Sequence, residues 1–187
     1  MIRLQHIDKS FDSRAVFSDF SCEFESEKPN CILGESGCGK TTLLRMLLGL
    51  EKPDRGEISG LHGRPAVLFQ EDRLCESFSA LRNIRLVSPK LPRELVLEEM
   101  QKLGLPLLPQ PVRTLSGGEK RRVAILRAAL YEGDYFVFDE PFRGLDIHTR
   151  DLTQAYLMEK TAGKTVLVVT HDPQEAQAWG GTILKLT

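Results

Sequence analysis

A chain of 187 residues can bury one substantial core and is short for two. Its 41% hydrophobic and 27% charged residues match an ordinary globular domain, and a net charge of −1 leaves no footprint for nucleic acid or an anionic membrane surface. Cys22, Cys31, Cys38 and Cys75 form no C-x-x-C pair and do not interleave with histidine, which argues against a zinc site or a disulfide framework and for a reducing cytoplasm.

No secretory leader is expected, because residues 1–10 carry Arg3, Gln5, His6, Asp8 and Lys9 where an apolar region would lie. Apolar runs such as 165–170 are far shorter than the roughly 20 residues that span a bilayer, so membrane association is expected through a partner. Residues 2–7 alternate as a half-buried strand, with Ile2 and Leu4 on one face and Arg3 and Gln5 on the other. Phe20, Cys22 and Phe24 alternate with Ser21, Glu23 and Glu25, which predicts antiparallel strands with one wet face. Between them Phe11 precedes the polar turn 12–14, where an aromatic ring serves either as a platform for a nucleotide base or as a core anchor.

Gly34-Glu35-Ser36-Gly37-Cys38-Gly39-Lys40-Thr41-Thr42 fits G-x-x-x-x-G-K-[ST]. Cys31, Ile32 and Leu33 before it read as a buried strand, and Leu43, Leu44, Leu47 and Leu48 after it recur at helical spacing. In that context the glycines let successive N–H groups face one concavity, and the helix start adds its unsatisfied amides and positive dipole end. Lys40 then supplies a mobile positive charge for the β- and γ-phosphates, and Thr41 a hydroxyl for Mg2+.

Residues 51–56 read as a Pro-Asp-Arg-Gly turn, followed by short strands at 57–59 and 66–69 that end near Gln70. At the carboxyl end of a strand in a parallel sheet, Gln70 is placed to face a ligand crevice. Residues 75–111 lose the β-branched runs and read as a helical insertion, with a helix over 94–103 stopped by Gly104 and Pro106. Ser116 suits the cap of a helix that continues through Val123, Ala124, Leu126, Ala128 and Leu130. Gly117 and Gly118 make a second anion-friendly amide cluster at its start. Lys120, Arg121 and Arg122 read as a solvated face and salt-bridge donor.

Tyr135-Phe136-Val137-Phe138 is a strand apolar on both faces, and it delivers Asp139 and Glu140 to the sheet edge, where Pro141 ends further pairing. Two adjacent carboxylates there are costly unless a cation or a reaction uses them, which points to Asp139 holding Mg2+ through water and Glu140 accepting a proton from an attacking water. A second such strand, 165–170, ends at His171, either a γ-phosphate donor or a turn residue before Pro173. A short helix over 173–179 and a strand over 182–186 close the chain.

These pieces, together with Leu145-Asp146, stand in the order of the ATP-binding cassette family, and the chain resembles a nucleotide-binding subunit of a bacterial importer. Leu115-Ser116-Gly117-Gly118 is the decisive piece, because the phosphate loop alone is shared with kinases and GTPases. Residues 70–74 and Glu140-Pro141-Phe142 are similar to the nitrate, sulfonate and taurine branch. The resemblance implies an α/β fold: a P-loop NTPase (RecA-like) core with a mostly parallel sheet, a small antiparallel subdomain and 75–111 as a short helical insertion in a single domain over 1–187. It also implies a cytoplasmic ATP hydrolase bound to the inner face of the membrane through an integral membrane permease, with no nucleic-acid partner.

The resemblance further implies a head-to-tail homodimer with ATP between subunits, Ser116, Gly117 and Gly118 closing on the partner's γ-phosphate and Asp146 at the seam. Lys40 binds phosphates, Thr42 adds a contact to the α-phosphate, Thr41, Gln70 and Asp139 serve Mg2+, Glu140 is the base, His171 contacts the γ-phosphate and Phe11 stacks on adenine. Lys40 and Gln70 are only 30 positions apart, short for the family, as is the insertion. Trp179-Gly180-Gly181 also departs from its pattern. Two other readings fit the residues less well. A soluble cassette ATPase acting on DNA or ribosomes usually carries insertions not found here, and a non-catalytic ATP-binding module would not need intact Lys40, Glu140 and His171.

Overall fold

Period-two alternation at the start of the chain becomes an antiparallel sheet in the computed structural model, which describes residues 1–12 and 14–186. Ser13 of the expected turn, and Thr187, lie outside the described residues. Along the chain run β1 (Ile2–Phe11), β2 (Arg14–Phe24), β3 (Pro29–Gly34), α1 (Lys40–Leu47), β4 (Arg55–Ser59), β5 (Pro65–Leu68), α2 (Ala80–Val87) and α3 (Arg93–Lys102). They are followed by a single 3-10 turn (Val112–Thr114), α4 (Gly117–Ala129), β6 (Tyr135–Asp139), α5 (Ile147–Lys160), β7 (Thr165–Thr170), α6 (Pro173–Ala178) and β8 (Thr182–Leu186). The described residues divide into two compact units, one from 1–65, 134–140 and 163–187, the other from 66–133 and 141–162.

In the first unit β2, β1 and β4 pair in that order, antiparallel throughout. Ile2, Leu4, Ile7, Phe17 and Phe24 are buried, while Arg3 and Glu23 meet across the wet face at 2.9 Å. The turn expected over 51–56 is shorter than that, since Arg55 and Gly56 already belong to β4. The register between β1 and β4 shifts after Gln5, and Gly56 sits at φ +88°, where a Cβ would lie 2.4 Å from the carbonyl oxygens of Gln5 and His6. Glycine here admits a bulge rather than a reversal.

β1 continues through Phe11, so this ring ends a strand instead of riding on a loop. The buried Lys9 ammonium donates to Glu51 at 2.8 Å and to the Lys52 carbonyl at 2.9 Å, and Asp54 accepts from the Ser10 amide at 2.7 Å. These bonds pin the strand end to the segment that follows α1.

The other strands of this unit lie side by side as β6-β7-β3-β8, all parallel. β6 is buried at every position, as expected of a strand covered on both faces. Trp179, in the stretch that departs from the family pattern, is buried with its ring centroid 6.0 Å from that of Phe138. Its place is therefore structural.

The second unit is built on helices. α4 buries Val123, Ala124, Ile125, Leu126 and Ala128, and Ser116 caps it. α5 follows no readable apolar stripe, because the residues it buries are Thr153, Gln154, Tyr156 and Leu157. Half of that inward face is polar, which hides the helical period. Among the described residues no helix is long and apolar enough to cross a membrane.

Glu99 of α3 is buried and receives Tyr156 Oη together with the ammonium groups of Lys102 at 2.8 Å and Lys160 at 2.9 Å, so one carboxylate ties α3 to α5. Burial opposes its charge, yet the bonds from Lys102, Tyr156 and Lys160 outweigh that and hold the carboxyl at about 2. A carboxyl depressed below its unfolded value of about 4.3 stabilises the fold above that pH, and the contribution fades as pH falls toward 2. Glu99→Gln, which leaves two cations without their carboxylate, is expected to cost about 2 kcal/mol at pH 7. In urea unfolding followed from pH 7 down to pH 3, the gap between variant and wild type should narrow; a gap that stays constant would show that the charge contributes nothing.

Candidate functional site

Lys40 opens α1, and the residue before it, Gly39, has φ +101° and no side chain to cap the helix, so no side-chain cap takes up the first amides of α1. A Cβ on Gly39 would come within 2.9 Å of Val16 and Phe17, which reserves the position for glycine on two grounds. Lys40 is 8% exposed, and its ammonium donates to the carbonyls of Gly34 at 2.6 Å and Glu35 at 2.7 Å. The side chain thus folds back along the inside of its own loop. Glu35, Ser36, Gly37 and Thr41 are exposed, and Cys38 and Thr42 are half-buried.

Parallel register sets what stands beside this loop. Leu33 pairs with Thr170, and Val169 pairs with Asp139, so the loop after β3, His171 after β7 and Glu140 after β6 leave the same edge of the sheet. Asp139 is buried at the last position of β6. Glu140 takes φ +48°, an uncommon conformation for a non-glycine residue, with its amide donating to the Val169 carbonyl at 2.9 Å. Its carboxylate accepts from Nδ1 of His171 at 2.7 and 2.9 Å. That bond puts the ring proton on Nδ1 and leaves Nε2 as the outward atom of an imidazole whose side chain is 67% exposed.

Behind His171, burial pushes the Glu175 carboxyl up to about 7, with a bond from Thr170 opposing and the Glu140 charge adding to the rise. Phe11 is 44% exposed, which removes the core-anchor reading, and the Lys9 ammonium lies 4.9 Å from its ring centroid.

The remaining predicted residues belong to the second unit. Ser116 and Glu119 form a reciprocal cap: the Ser116 amide and hydroxyl reach the Glu119 carboxylate at 2.8 and 2.7 Å, and the Glu119 amide returns to Ser116 Oγ at 3.3 Å. Those two bonds from Ser116 hold the Glu119 carboxyl below its usual range. Nothing lies within 4 Å of where a Gly117 Cβ would stand, so the amide cluster is open. Asp146 caps α5, accepting from the Thr149 hydroxyl at 2.7 Å and amide at 3.0 Å, and these bonds lower its carboxyl. Gln70, Asp72, Gly117, Arg121 and Arg143 are among the residues around a hollow of about 290 Å3, which brings the predicted glutamine and the second glycine cluster to one place.

Arg121 corrects the reading of residues 120–122 as a solvated face. It is 3% exposed, and its guanidinium bonds to the carbonyls of Pro141, Phe69 and Gln70 and to the Asp72 carboxylate. Its position four residues before the buried Ile125 was the available signal, masked by the charges on either side.

In the first unit Thr41 and Asp139 offer hydroxyl and carboxylate oxygens, hard donors of the kind that suit Mg2+, and in the second unit Gln70 offers an amide oxygen. The uncapped amides of α1 and the lysine lining the loop suit a polyphosphate.

The model of the ABC transporter family matches residues 17–143. An aliphatic sulfonates import ATP-binding protein, SsuB 1 of Streptomyces avermitilis, is 38% identical over 179 residues, covering 94% of this chain and 68% of that protein. The taurine import ATP-binding protein TauB of Pseudomonas aeruginosa is 35% identical over 179 residues, covering 87% and 68%. Among solved structures, a dimeric structure of MJ0796, a bacterial ABC transporter cassette, superposes with a TM-score of 0.84 at 27% identity over 100% of this chain and 94% of that one. A dimeric post-hydrolysis state of the same cassette, bound to ADP and Pi, gives 0.86 at 26%. With the phosphate loop, the acidic strand end and the Ser-Gly-Gly helix start in that order on this fold, the chain belongs to the ABC transporter family.

Proposed function

We infer that this chain is the ATP-binding and ATP-hydrolysing subunit of an importer of small organic anions such as sulfonates, driving transport through a separate membrane permease. One observation carries the reading: the phosphate loop, Asp139, the Glu140–His171 pair and their strands converge on one edge of a parallel sheet. The import proteins SsuB and TauB are the relatives that favour this solute class. In this role the chain sits on the cytoplasmic face of the membrane, held there by the permease.

Each residue has a task that its surroundings support. Lys40 exchanges its two loop carbonyls for phosphate oxygens, while the α1 amides hold the same anion through main chain. Thr41 and Gln70 would hold Mg2+, with Asp139 supporting it through water, and Thr42 adds a hydroxyl to the α-phosphate. Mg2+, when bound, offsets phosphate charge and orients the oxygens for in-line displacement. Glu140 takes the proton of the attacking water. His171 keeps Nδ1 on Glu140 and turns Nε2 toward a γ-phosphate.

The open glycine cluster at Ser116, Gly117 and Gly118 is a second set of amides suited to phosphate, in addition to the phosphate loop. We assign it to the ATP of a second copy in a head-to-tail homodimer, with Asp146 at the seam. Residues 75–111, which contain α2 and α3, act as the helical insertion of a single ATPase domain over 1–187.

Glu140→Gln should lower ATP turnover by at least about a hundredfold while ATP still binds and dimers accumulate; turnover like that of the wild type in a phosphate-release assay would falsify the base assignment. Lys40→Ala should remove measurable ATP binding in calorimetry, and an unchanged isotherm would count against the phosphate-loop assignment. For Phe11→Ala, the affinity for ATP should drop about fivefold or more, as loss of one base-stacking contact does. Tripolyphosphate, which has no base, should bind equally to both proteins, and parallel losses for the two ligands would leave Phe11 no part in base recognition.

A further inference from the structure

Helix α4 starts at the second glycine cluster and sends two arginines onto one short segment, residues 69–73. Arg127 donates to the carbonyls of Asp72 at 2.8 Å and Arg73 at 2.7 Å. From Arg121, Nη1 reaches the Phe69 carbonyl at 2.8 Å, the Asp72 carboxylate at 3.0 Å and the Gln70 carbonyl at 3.3 Å. Four of the five carbonyls in the segment are therefore held from a single helix. Arg73, at φ +47°, lays its own guanidinium over the Phe69 ring at 3.6 Å, which closes the segment on itself.

Arg121 differs from Arg127 in having a second target. Its Nε donates to the Pro141 carbonyl at 2.7 Å, and Pro141 is the next residue after Glu140. Glu140 occupies a left-handed backbone conformation that a side chain at this position adopts only when its surroundings over-determine it. The planar fork of a guanidinium can hold Pro141 with one nitrogen and residues 69–72 with another, at fixed separation, which a lysine cannot do. The Asp72 carboxylate balances the buried charge and sets the fork's orientation.

We propose that Arg121 is a positioning residue for ATP turnover, whose buried guanidinium fixes the backbone at Gln70 and at the residue following Glu140 in one frame. It touches neither nucleotide nor metal. The proposal rests on the assignment of Gln70 and Glu140 to ATP hydrolysis. A role of this kind acts on the rate and on metal use rather than on nucleotide affinity, because it works through the backbone at residues 69–72 and 141.

The test is steady-state ATPase measurement on the purified chain, titrating ATP at saturating Mg2+ and Mg2+ at saturating ATP, for Arg121→Met, Arg121→Lys and Asp72→Asn, with Glu140→Gln as reference. Arg121→Met should lose about tenfold or more in kcat, a moderate misplacement of reacting groups. Its KM for ATP should stay within about twofold, and half-saturation by Mg2+ should move to higher concentration. Arg121→Lys should recover only part of the rate. Wild-type kcat in Arg121→Met, or a loss carried by the KM for ATP with Mg2+ dependence unmoved, overturns the proposal.

If circular dichroism shows that Arg121→Met does not fold, Asp72→Asn decides. A kcat loss with unchanged KM for ATP supports the proposal, and wild-type kinetics overturns it. Should Glu140→Gln turn over like wild type, the hydrolysis assignment itself fails and the proposal with it. A loss in Glu140→Gln without one in the Arg121 and Asp72 variants overturns the positioning role alone.

Discussion

Parallel pairing of β3 with β7, and of β7 with β6, is the constraint on which the candidate site depends. Parallel strands deliver their carboxyl ends to one edge, so the phosphate loop emerges beside two loops that follow it by a hundred residues or more in sequence. Loop 34–39, Glu140 and His171 need no further device to become neighbours at that edge. A register slip by one residue would turn Asp139 to the opposite face of the sheet and remove it from the phosphate side. Burial of β6 at every position is what makes such a slip costly.

In both units, polar groups are held by partners that are themselves fixed. His171 is oriented by Glu140, Ser116 by Glu119 and Asp146 by Thr149. The first two pairs each leave a group turned outward, Nε2 in one case and the glycine amides in the other. The second unit gains its own rigidity from buried charge, with Glu99 joining two helices and Arg121 gathering backbone from residues 69 to 72 and 141. Charges in these places are kept by complete sets of partners, since a half-satisfied buried ion is worse than none.

Much of the architecture was legible because it is written in periodicity and in local motifs. The buried strands 135–139 and 165–170 announced themselves by unbroken apolar runs, and Ser116 by the apolar helical spacing that follows it. Helix α5 was not legible, because the residues it buries include Thr153 and Gln154, so polarity and burial part company there. Gly56 was read as a turn because a positive φ in a strand looks the same in sequence as one in a reversal; only the approach of the Gln5 and His6 carbonyls separates them. At the site, the phosphate loop, Asp139, Glu140 and His171 could be named from residue types. The Lys9 and Arg121 anchors could not, since their partners include backbone carbonyls, which every residue carries and no residue type marks.

The end of β1 shows what such an anchor does to a binding surface. Lys9 is buried and meets a carboxylate and a carbonyl within 3 Å, whereas Arg3 and Glu23 on the same sheet pair in open water with more than half of each side chain exposed. Dissolved ions weaken the second kind of pair and barely reach the first. The ring of Phe11 is therefore carried by a strand end whose geometry is insulated from ionic strength, although the ring itself stands in solvent and the ligand proposed for it is a polyanion.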